Sequence, residues 1–263
     1  MIRHILIFLP LICFWALKPM HGAENSEHSI EDIDFQFEGI FGTYDRNQLQ
    51  RGLQVFTEVC ASCHGLQHVA FRSLGDAGGP ELEDKQLKAY AQLYEIFDPE
   101  LDDYREAKPA DYFPKSMVEN APDLSLMAKA RAGFHGPYGL GINQLLKGIG
   151  GPEYMVNLLL GFNGEEKEQA GSVLYGNNIY PGGWIAMGQP LWGDDVEYMD
   201  GTEATIEQEA EDVTAFLMWA AEPKLNARKE FGFTAILFLS VLFVLLYLTN
   251  KKLWAPHKGK LKS

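Results

Sequence analysis

Cysteine is scarce in this chain of 263 residues, which contains only Cys13, Cys60 and Cys63. Cys13 lies in an N-terminal apolar segment that we predict to be removed, so two thiols remain in the mature protein. A structural zinc site would need two more ligands at matched spacing, and the chain has no second cysteine pair to supply them. The remaining pair must therefore be interpreted from its immediate neighbours.

Positive charge is also scarce. Residues 24–230 hold all 36 acidic residues but only 15 Lys and Arg. The acidic residues concentrate at 24–38, 76–111 and 194–212, and a field of this sign disfavours binding to nucleic acid. Any one cluster is typical of a solvated face, whereas the clusters together also suit electrostatic steering of a basic partner. The sequence leaves these two interpretations open.

The chain shows little of the strict polar and apolar alternation that half-buried strands have. Short helical patterns separated by Gly and Pro loops predict a mainly α fold instead. Asp45 with Gln48 predicts a helix whose C-terminal end carries residues 60–64. Helix boundaries are also indicated by Pro152 with Gly161, and by Thr205 with Gln208 ahead of Pro223.

Three further segments have weaker local signals. Leu87, Tyr90, Tyr94 and Phe97 form a helical stripe inside region 76–111, which we predict to be a surface insertion. Pro122-Asp123 predicts a helix that continues through Arg131. Residues 133–151 include seven glycines in nineteen positions and are expected to form a loop.

The two ends of the chain are apolar. Residues 1–23 have a basic start, an apolar run and small residues at the end, which predicts a cleavable secretory signal of bacterial type. Residues 231–249 lack any charge over nineteen positions, about 28 Å as a helix, and are predicted to span a membrane. We expect a linker of about seven residues before this span. The tail, 250–263, has five lysines and no acid, which places it in the cytoplasm and residues 24–230 on the exported side.

Cys60-Ala61-Ser62-Cys63-His64 has the spacing that attaches a c-type haem. Two thiols can add across the vinyl groups of one porphyrin, and the adjacent imidazole can reach the iron. A thioredoxin-like redox motif would not require the histidine. The pattern predicts one covalently bound haem c.

The sixth iron ligand determines whether such a haem is a high-potential carrier, a low-potential carrier or a ligand-binding site. Met187 stands out because its loop, residues 181–192, is rich in Gly, Pro and Trp. From the residues alone it can equally plug the core. His28, His68 and His135 are the histidine alternatives, and they would give a lower potential.

Several separate motifs give the chain a resemblance to the cytochrome c1 family, the haem subunit of the ubiquinol–cytochrome c reductase (bc1) complex. The resemblance covers nearly all of the mature sequence. It is carried, in order, by residues 51–56 (RGLQVF), 59–64 (VCASCH), 122–125 (PDLS), 180–182 (YPG), 185–187 (IAM), 219–223 (WAAEP) and 228–229 (RK).

The resemblance implies a role for each matching residue. Cys60 and Cys63 would form the thioether links, and His64 and Met187 would be the axial iron ligands. Arg131 and Tyr154 would bind the haem propionates, and Pro122 would pack beside the proximal histidine. Gly188 departs from the family, where a proline usually follows the ligand methionine. We therefore expect the loop that carries Met187 to be more mobile and the reduction potential of the haem to be lower.

The resemblance also implies the fold and the function. We expect a c-type cytochrome haem domain with long loops plus one C-terminal transmembrane helix, anchored as a single pass in the bacterial inner membrane with the haem domain in the periplasm. It would take one electron from a Rieske iron–sulfur protein and pass it to a soluble or tethered cytochrome c, within a dimeric complex that contains cytochrome b. A stand-alone tethered electron shuttle and a gas-binding haem sensor are the alternatives.

Overall fold

The computed structural model describes residues 30–131 and 148–258. The predicted signal at 1–23, His28, His135, most of the glycine-rich segment and the last five residues of the tail lie outside these ranges. Within them the fold is mainly α, as predicted. The α-helices are α1 (Arg46–Val55), α2 (Asp84–Ala91), α3 (Met127–Ala130), α4 (Gly151–Leu160), α5 (Ile206–Ala221) and α6 (Leu225–Lys258).

Helix α1 begins where the sequence predicts. The side chain of Asp45 accepts a hydrogen bond from the backbone N–H of Gln48 at 2.8 Å, which satisfies one free donor of the first turn. The helix continues into a wider π-helical turn, Phe56–Cys60, and this turn ends at the first cysteine of the haem motif. The motif is therefore fixed to the end of a helix whose apolar face is buried.

Helix α5 packs closely on α1 and completes the core. A Cβ atom added to Gly52 would lie 1.9 Å from the carbonyl oxygen of Asp212, so only glycine permits this approach. Thr205 caps α5 by accepting from the Gln208 N–H at 3.2 Å, although the Gln208 side chain bonds to Asp212 and does not complete a capping box. Four apolar residues of this helix, Val213, Phe216, Leu217 and Ala220, are all in the core.

Region 76–111 differs from the prediction. Helix α2 ends at Ala91, and Phe97 lies in a hairpin of strands β1 (Glu95–Asp98) and β2 (Asp103–Glu106). The hairpin is mostly exposed. Tyr90 and Tyr94 pack against Phe71 and Phe113 in the core, with Tyr94 5.2 Å from Phe71 between ring centroids. The predicted helical stripe was wrong for its last two members, Tyr94 and Phe97, because its spacing continued by chance past the helix end at Ala91.

The helix predicted from Pro122 through Arg131 was also wrong, since only α3, Met127–Ala130, forms there. The physical reason is that both carboxylate oxygens of Asp123 make hydrogen bonds that hold this segment in an irregular conformation. Asp123 accepts from the N–H groups of Gln67 at 2.9 Å and Ser125 at 3.0 Å. Residues 122–125 therefore form an irregular segment that is tied to the chain just after the haem motif.

Helix α4 follows its sequence signals, with Pro152 in the first turn and an end at Gly161. Three strands follow it that the sequence did not reveal: β3 (Phe162–Gln169), β4 (Ser172–Asn177) and β5 (Trp184–Ile185), paired in that order as an antiparallel sheet. Most residues of β3 are exposed, so this strand lacks the alternation that burial of one face would impose.

Helix α6 is continuous over 34 residues and begins two residues after Pro223, so the predicted linker before the membrane segment was wrong. Its first turn belongs to the domain, since Leu225 is buried and the Asn226 side chain accepts from the backbone N–H of Tyr44. By length and composition, α6 is apolar enough to cross a membrane.

Candidate functional site

The haem motif forms a tight turn at the end of the π-helical segment. The backbone N–H groups of Cys63 and His64 both donate to the carbonyl oxygen of Cys60, at 3.1 and 2.9 Å. Both cysteines are free thiols, Cys60 half-buried and Cys63 exposed. The turn thus presents two unpaired sulfur atoms and one imidazole from five consecutive residues.

The environment of Cys60 does not suit disulfide redox chemistry. Burial, with a smaller contribution from Cys63, raises the pKa of the Cys60 thiol to about 12. A redox-active Cys-x-x-Cys pair needs the opposite, a lowered pKa that yields the nucleophilic thiolate. The cysteine pair is better suited to holding a cofactor than to disulfide exchange.

The imidazole of His64 is oriented by a residue 58 positions away. Its Nδ1 atom lies 2.8 Å from the carbonyl oxygen of Pro122. Because a carbonyl only accepts, Nδ1 is the nitrogen that carries the proton in the neutral imidazole, and Nε2 then has a free lone pair. This is the arrangement in which a histidine binds a metal through Nε2 while a backbone carbonyl fixes its ring.

The chain after the motif is fastened to residues 114–125 by successive backbone contacts. The N–H of Gly65 donates to the Ser116 hydroxyl at 3.2 Å, and the N–H of His68 donates to the Ser125 hydroxyl at 3.1 Å. The N–H of Leu124 returns a bond to the carbonyl oxygen of Gly65 at 2.9 Å. These contacts hold the Pro122 carbonyl in place against His64.

Met187 is half-buried in the loop that follows β5. The segment between β4 and β5, which leads to this loop, is held by Asn177, which is 1% exposed. Its side-chain oxygen accepts from the N–H groups of Ile179 at 2.9 Å and Tyr180 at 3.0 Å, and its side-chain nitrogen donates to the carbonyl oxygen of Leu158 at 2.8 Å. One amide thereby joins α4 to the segment that leads to Met187.

The residue after Met187 lies against an aromatic ring. A Cβ atom added to Gly188 would meet the Tyr175 ring at 3.4 Å, an ordinary van der Waals contact. Tyr175 is paired with Ile185 across strands β4 and β5. The short β5 strand therefore fixes the loop just before Met187. The Tyr175 ring lies beside Gly188, just after Met187.

Arg131 and Tyr154 come together although they lie in different elements. A Cβ atom on Gly151 would fall 1.9 Å from the carbonyl oxygen of Ala128 and 2.8 Å from that of Arg131, so the glycine lets α3 approach the start of α4. Desolvation raises the pKa of Tyr154, and the nearby Arg131 cation opposes that rise. Arg131 itself is exposed, so the guanidinium can meet an anionic ligand.

Comparison with known proteins agrees with this geometry. The model of the Cytochrome C1 family matches residues 35–257. The chain is 56% identical over 256 residues to "Cytochrome c1" of Cereibacter sphaeroides, a match that covers 89% of this chain and 90% of the relative. It belongs to the cytochrome c1 family.

Two further relatives have names that describe larger assemblies. The chain is 42% identical to "Cytochrome b/c1" of Bradyrhizobium diazoefficiens over 84% of this chain and 35% of that protein. It is 38% identical to "Cytochrome b-c1 complex catalytic subunit, mitochondrial" of Candida albicans over 92% of this chain and 82% of the relative.

Sequence reasoning missed several residues that position the candidate site. Asn177, Ser116 and Tyr175 carry no motif, and their contacts join segments that lie far apart in the sequence. The turn role of Asp123 was detectable, because an Asp side chain commonly accepts a hydrogen bond from the backbone N–H two residues on. Its contacts replace those of the helix that we predicted.

The acidic cluster at 194–212 divides by burial. Glu209 and Asp212 are fully buried, while Asp194, Glu197, Asp200, Glu203 and Glu207 are exposed and the remaining two, Asp195 and Glu211, are half-buried. Asp195 and Val196 donate their N–H groups to Glu209, and Arg51 donates to Asp212. Only the exposed group can act on a partner in solution.

Proposed function

We propose that this chain is the membrane-anchored monohaem subunit of a bacterial respiratory bc1 complex. It accepts one electron from the Rieske iron–sulfur protein and passes it to a cytochrome c. Family membership supports the coarse assignment to a haem subunit of that complex. The donor, the acceptor and the ligand roles are our proposal.

The observation that carries the proposal is the orientation of His64. Its Nδ1 atom faces the Pro122 carbonyl at 2.8 Å, so Nε2 is available to iron, and two free thiols lie within the same turn. This donor set fits haem c, with Cys60 and Cys63 as the covalent links and His64 as the proximal ligand. Met187 would supply the sixth ligand, and Arg131 and Tyr154 would bind the propionates.

When bound, the haem iron supplies one-electron chemistry by changing between its ferric and ferrous states. The protein determines how readily this happens. The Pro122 carbonyl increases the basicity of His64, and the Asn177 contacts hold the loop that carries Met187. No side chain is required to act as an acid, base or nucleophile.

The names of two relatives support assembly into a complex over a stand-alone shuttle. The Bradyrhizobium protein is named cytochrome b/c1 and extends well beyond the matched region, and the Candida protein is named a subunit of the cytochrome b-c1 complex. By this analogy we propose cytochrome b and the Rieske protein as partners, in a dimeric complex.

The membrane arrangement that we propose follows the charge pattern. Residues 1–23 would be removed as a signal, and residues 24–230 would form the haem domain in the periplasm. Residues 231–249 would cross the inner membrane, and the basic tail, 250–263, would lie in the cytoplasm. A continuous α6 supports this arrangement, because it joins the domain directly to the span.

A redox titration of the purified complex tests the proposal. The optical spectrum, including the weak near-infrared band of sulfur–iron(III) coordination, is recorded for the wild type, Met187→His and the control Met199→His. Met199 is fully exposed, so its substitution should leave the band unchanged. We expect a positive potential and a band that only Met187→His abolishes. A band that survives Met187→His would show that another residue is the sixth ligand.

Two further results would overturn the function itself. Failure of cytochrome b to co-purify with the chain would favour the tethered shuttle. An optical shift of the reduced protein on adding carbon monoxide would show an open iron position and favour the sensor.

A further inference from the structure

Residues 38–43, here called the 38–43 loop, run along the first turns of α6. The backbone N–H of Tyr44 donates to the Asn226 side chain at 3.2 Å. The ammonium group of Lys229 donates to the carbonyl oxygens of Phe37 at 2.6 Å and Gly42 at 2.9 Å. The ring of Phe41 contacts that of Phe233, with 6.0 Å between centroids. The loop and its two flanking residues, Phe37 and Tyr44, are thus attached to α6 at three successive levels.

These three levels lie on one face of the helix. Asn226, Lys229 and Phe233 are spaced by three and four residues, which places them one above another. Seven residues rise about 10 Å along a helix, so the loop extends that far toward the apolar segment. Phe233 is the third residue of the uncharged run that begins after Glu230. Phe41 therefore reaches the level where the apolar surface of α6 has already begun.

Backbone geometry within the loop and contacts at its two ends fix its position. Gly39 has a φ of 64°, and a Cβ atom on Gly42 would fall 1.8 Å from the carbonyl oxygen of Glu38. On either side of the loop, Phe37 is 3% exposed and the hydroxyl of Tyr44 donates to the carbonyl oxygen of Met218 at 3.1 Å. A turn this constrained holds its apex residues in one place.

The apex residues are large, apolar and exposed. Ile40 is 51% exposed and Phe41 is 77% exposed, and the Phe41 ring meets that of Phe233 on α6, which is itself 57% exposed. Adjacent exposed apolar residues of this size mark a contact surface. Aromatic side chains at the start of a membrane span prefer the boundary between headgroups and acyl chains.

We propose that the 38–43 loop is a second membrane contact, which inserts Ile40 and Phe41 into the lipid boundary beside α6. Because the loop is tied to the domain core and to α6, this contact fixes the orientation of the haem domain relative to the bilayer. The occupant is lipid, since the apolar surface is continuous with that of the helix proposed to cross the membrane. The inference rests on that proposed span.

Site-directed spin labelling of the full chain, in its assembled complex in phosphatidylcholine vesicles, tests this contact. Labels are introduced at Phe41→Cys, at Phe233→Cys as the lipid reference and at Phe97→Cys as the aqueous reference. Phe97 is also an exposed phenylalanine, but its ring partner is Tyr104 of the β1–β2 hairpin. Wild-type protein treated with the same reagent serves as the blank. Collisions of each label with oxygen and with a water-soluble nickel chelate are measured.

We expect oxygen to collide with the labels at positions 41 and 233 more than the nickel chelate does, and the reverse at position 97. A label at 41 that behaves like the one at 97 would overturn the proposal, because the loop would lie in water. A label shielded from both reagents would also overturn it, because a protein would cover the loop. If position 233 is itself aqueous, the membrane span fails along with the loop contact, while the redox titration separately tests the haem function.

Discussion

Arg51 and Asp212 join the helix that leads to the haem motif with the last helix of the haem domain. The guanidinium donates to the two carboxylate oxygens at 2.7 and 3.0 Å. Asp212 is fully buried, and Arg51 makes a further bond to the exposed Asp200 at 2.9 Å. The pair lies beside Gly52, where α1 and α5 are in closest contact, so the family motif that begins at Arg51 has a structural basis in this interface.

Replacing Arg51 with alanine should strongly destabilise the protein. Removal of one partner leaves the Asp212 carboxylate buried without its cation, which usually lowers the free energy of unfolding by about 3–5 kcal/mol. Denaturant unfolding followed by circular dichroism measures the change. Arg46→Ala is the control, since Arg46 is exposed and 4.0 Å from Glu81, and it should change the value by about 0.5 kcal/mol or less. Equal effects of the two substitutions would refute the assignment.

The sequence predicts features that are set by neighbouring residues. The Asp45 and Thr205 caps and the limits of α4 each depend on a few adjacent positions, and the observed elements agree with them. The prediction failed where distant contacts determine the structure. Asp123 bonds to Gln67 in place of starting a helix, and Leu225 is buried in the core in place of lying in a linker.

The exposed sheet was missed for a different reason. Strand β3 has polar residues on both faces, so no burial pattern distinguishes it from a loop. The residues alone did not predict the hydrogen bond that orients His64 either, because its partner carbonyl is 58 residues away and every residue has a carbonyl. The family resemblance implied only that Pro122 would pack beside this histidine. Finding the hydrogen bond required the fold.

Asn177→Ala should loosen the loop that carries Met187. The substitution removes three hydrogen bonds from a buried amide, each contributing about 0.5–1.5 kcal/mol. We expect a weaker near-infrared band and a lower reduction potential, because Met187 would leave the iron more often. Asn163→Ala is the control, since Asn163 is exposed on β3. A loss of stability with an unchanged band and potential would show that Asn177 supports only the fold.

Glu38 and Glu153 should make stability fall as the pH rises. Glu153 is fully buried, and the Glu38 carboxyl faces it. Within the part of the chain that the structure describes, neither carboxylate oxygen of Glu153 has a hydrogen-bond partner. Burial, followed by the interaction with Glu153, raises the pKa of Glu38 from 4.5 to about 9, and burial also raises the pKa of Glu153. The folded state therefore holds a proton that the unfolded chain releases above pH 4.5.

The free energy of unfolding should accordingly decrease between about pH 4.5 and pH 9. Glu153→Gln removes one of the two acids and can donate to Glu38, so the slope should become smaller and stability at pH 8 should increase by about 1–3 kcal/mol. Denaturant unfolding across this pH range measures both effects. Glu165→Gln, an exposed acid on β3, should leave the slope as it is. An unchanged slope in Glu153→Gln would exclude the pair as its source.

The exposed acids at 194–207 should steer the electron acceptor. They follow the Met187 loop in the chain and adjoin Trp192, which is 72% exposed. We expect Glu197→Gln, Glu203→Gln and Glu207→Gln together to slow association with a basic cytochrome c about tenfold at low salt, because steering of this kind raises association rates by about 10 to 1,000-fold.

Neutralising Glu100, Asp102 and Asp103 on the β1–β2 hairpin removes the same charge and should have a much smaller effect. Stopped-flow reduction of the acceptor at several ionic strengths measures the rate, and the difference between the two triple variants should vanish at high salt. Equal slowing by both variants would assign the effect to net charge and not to this surface.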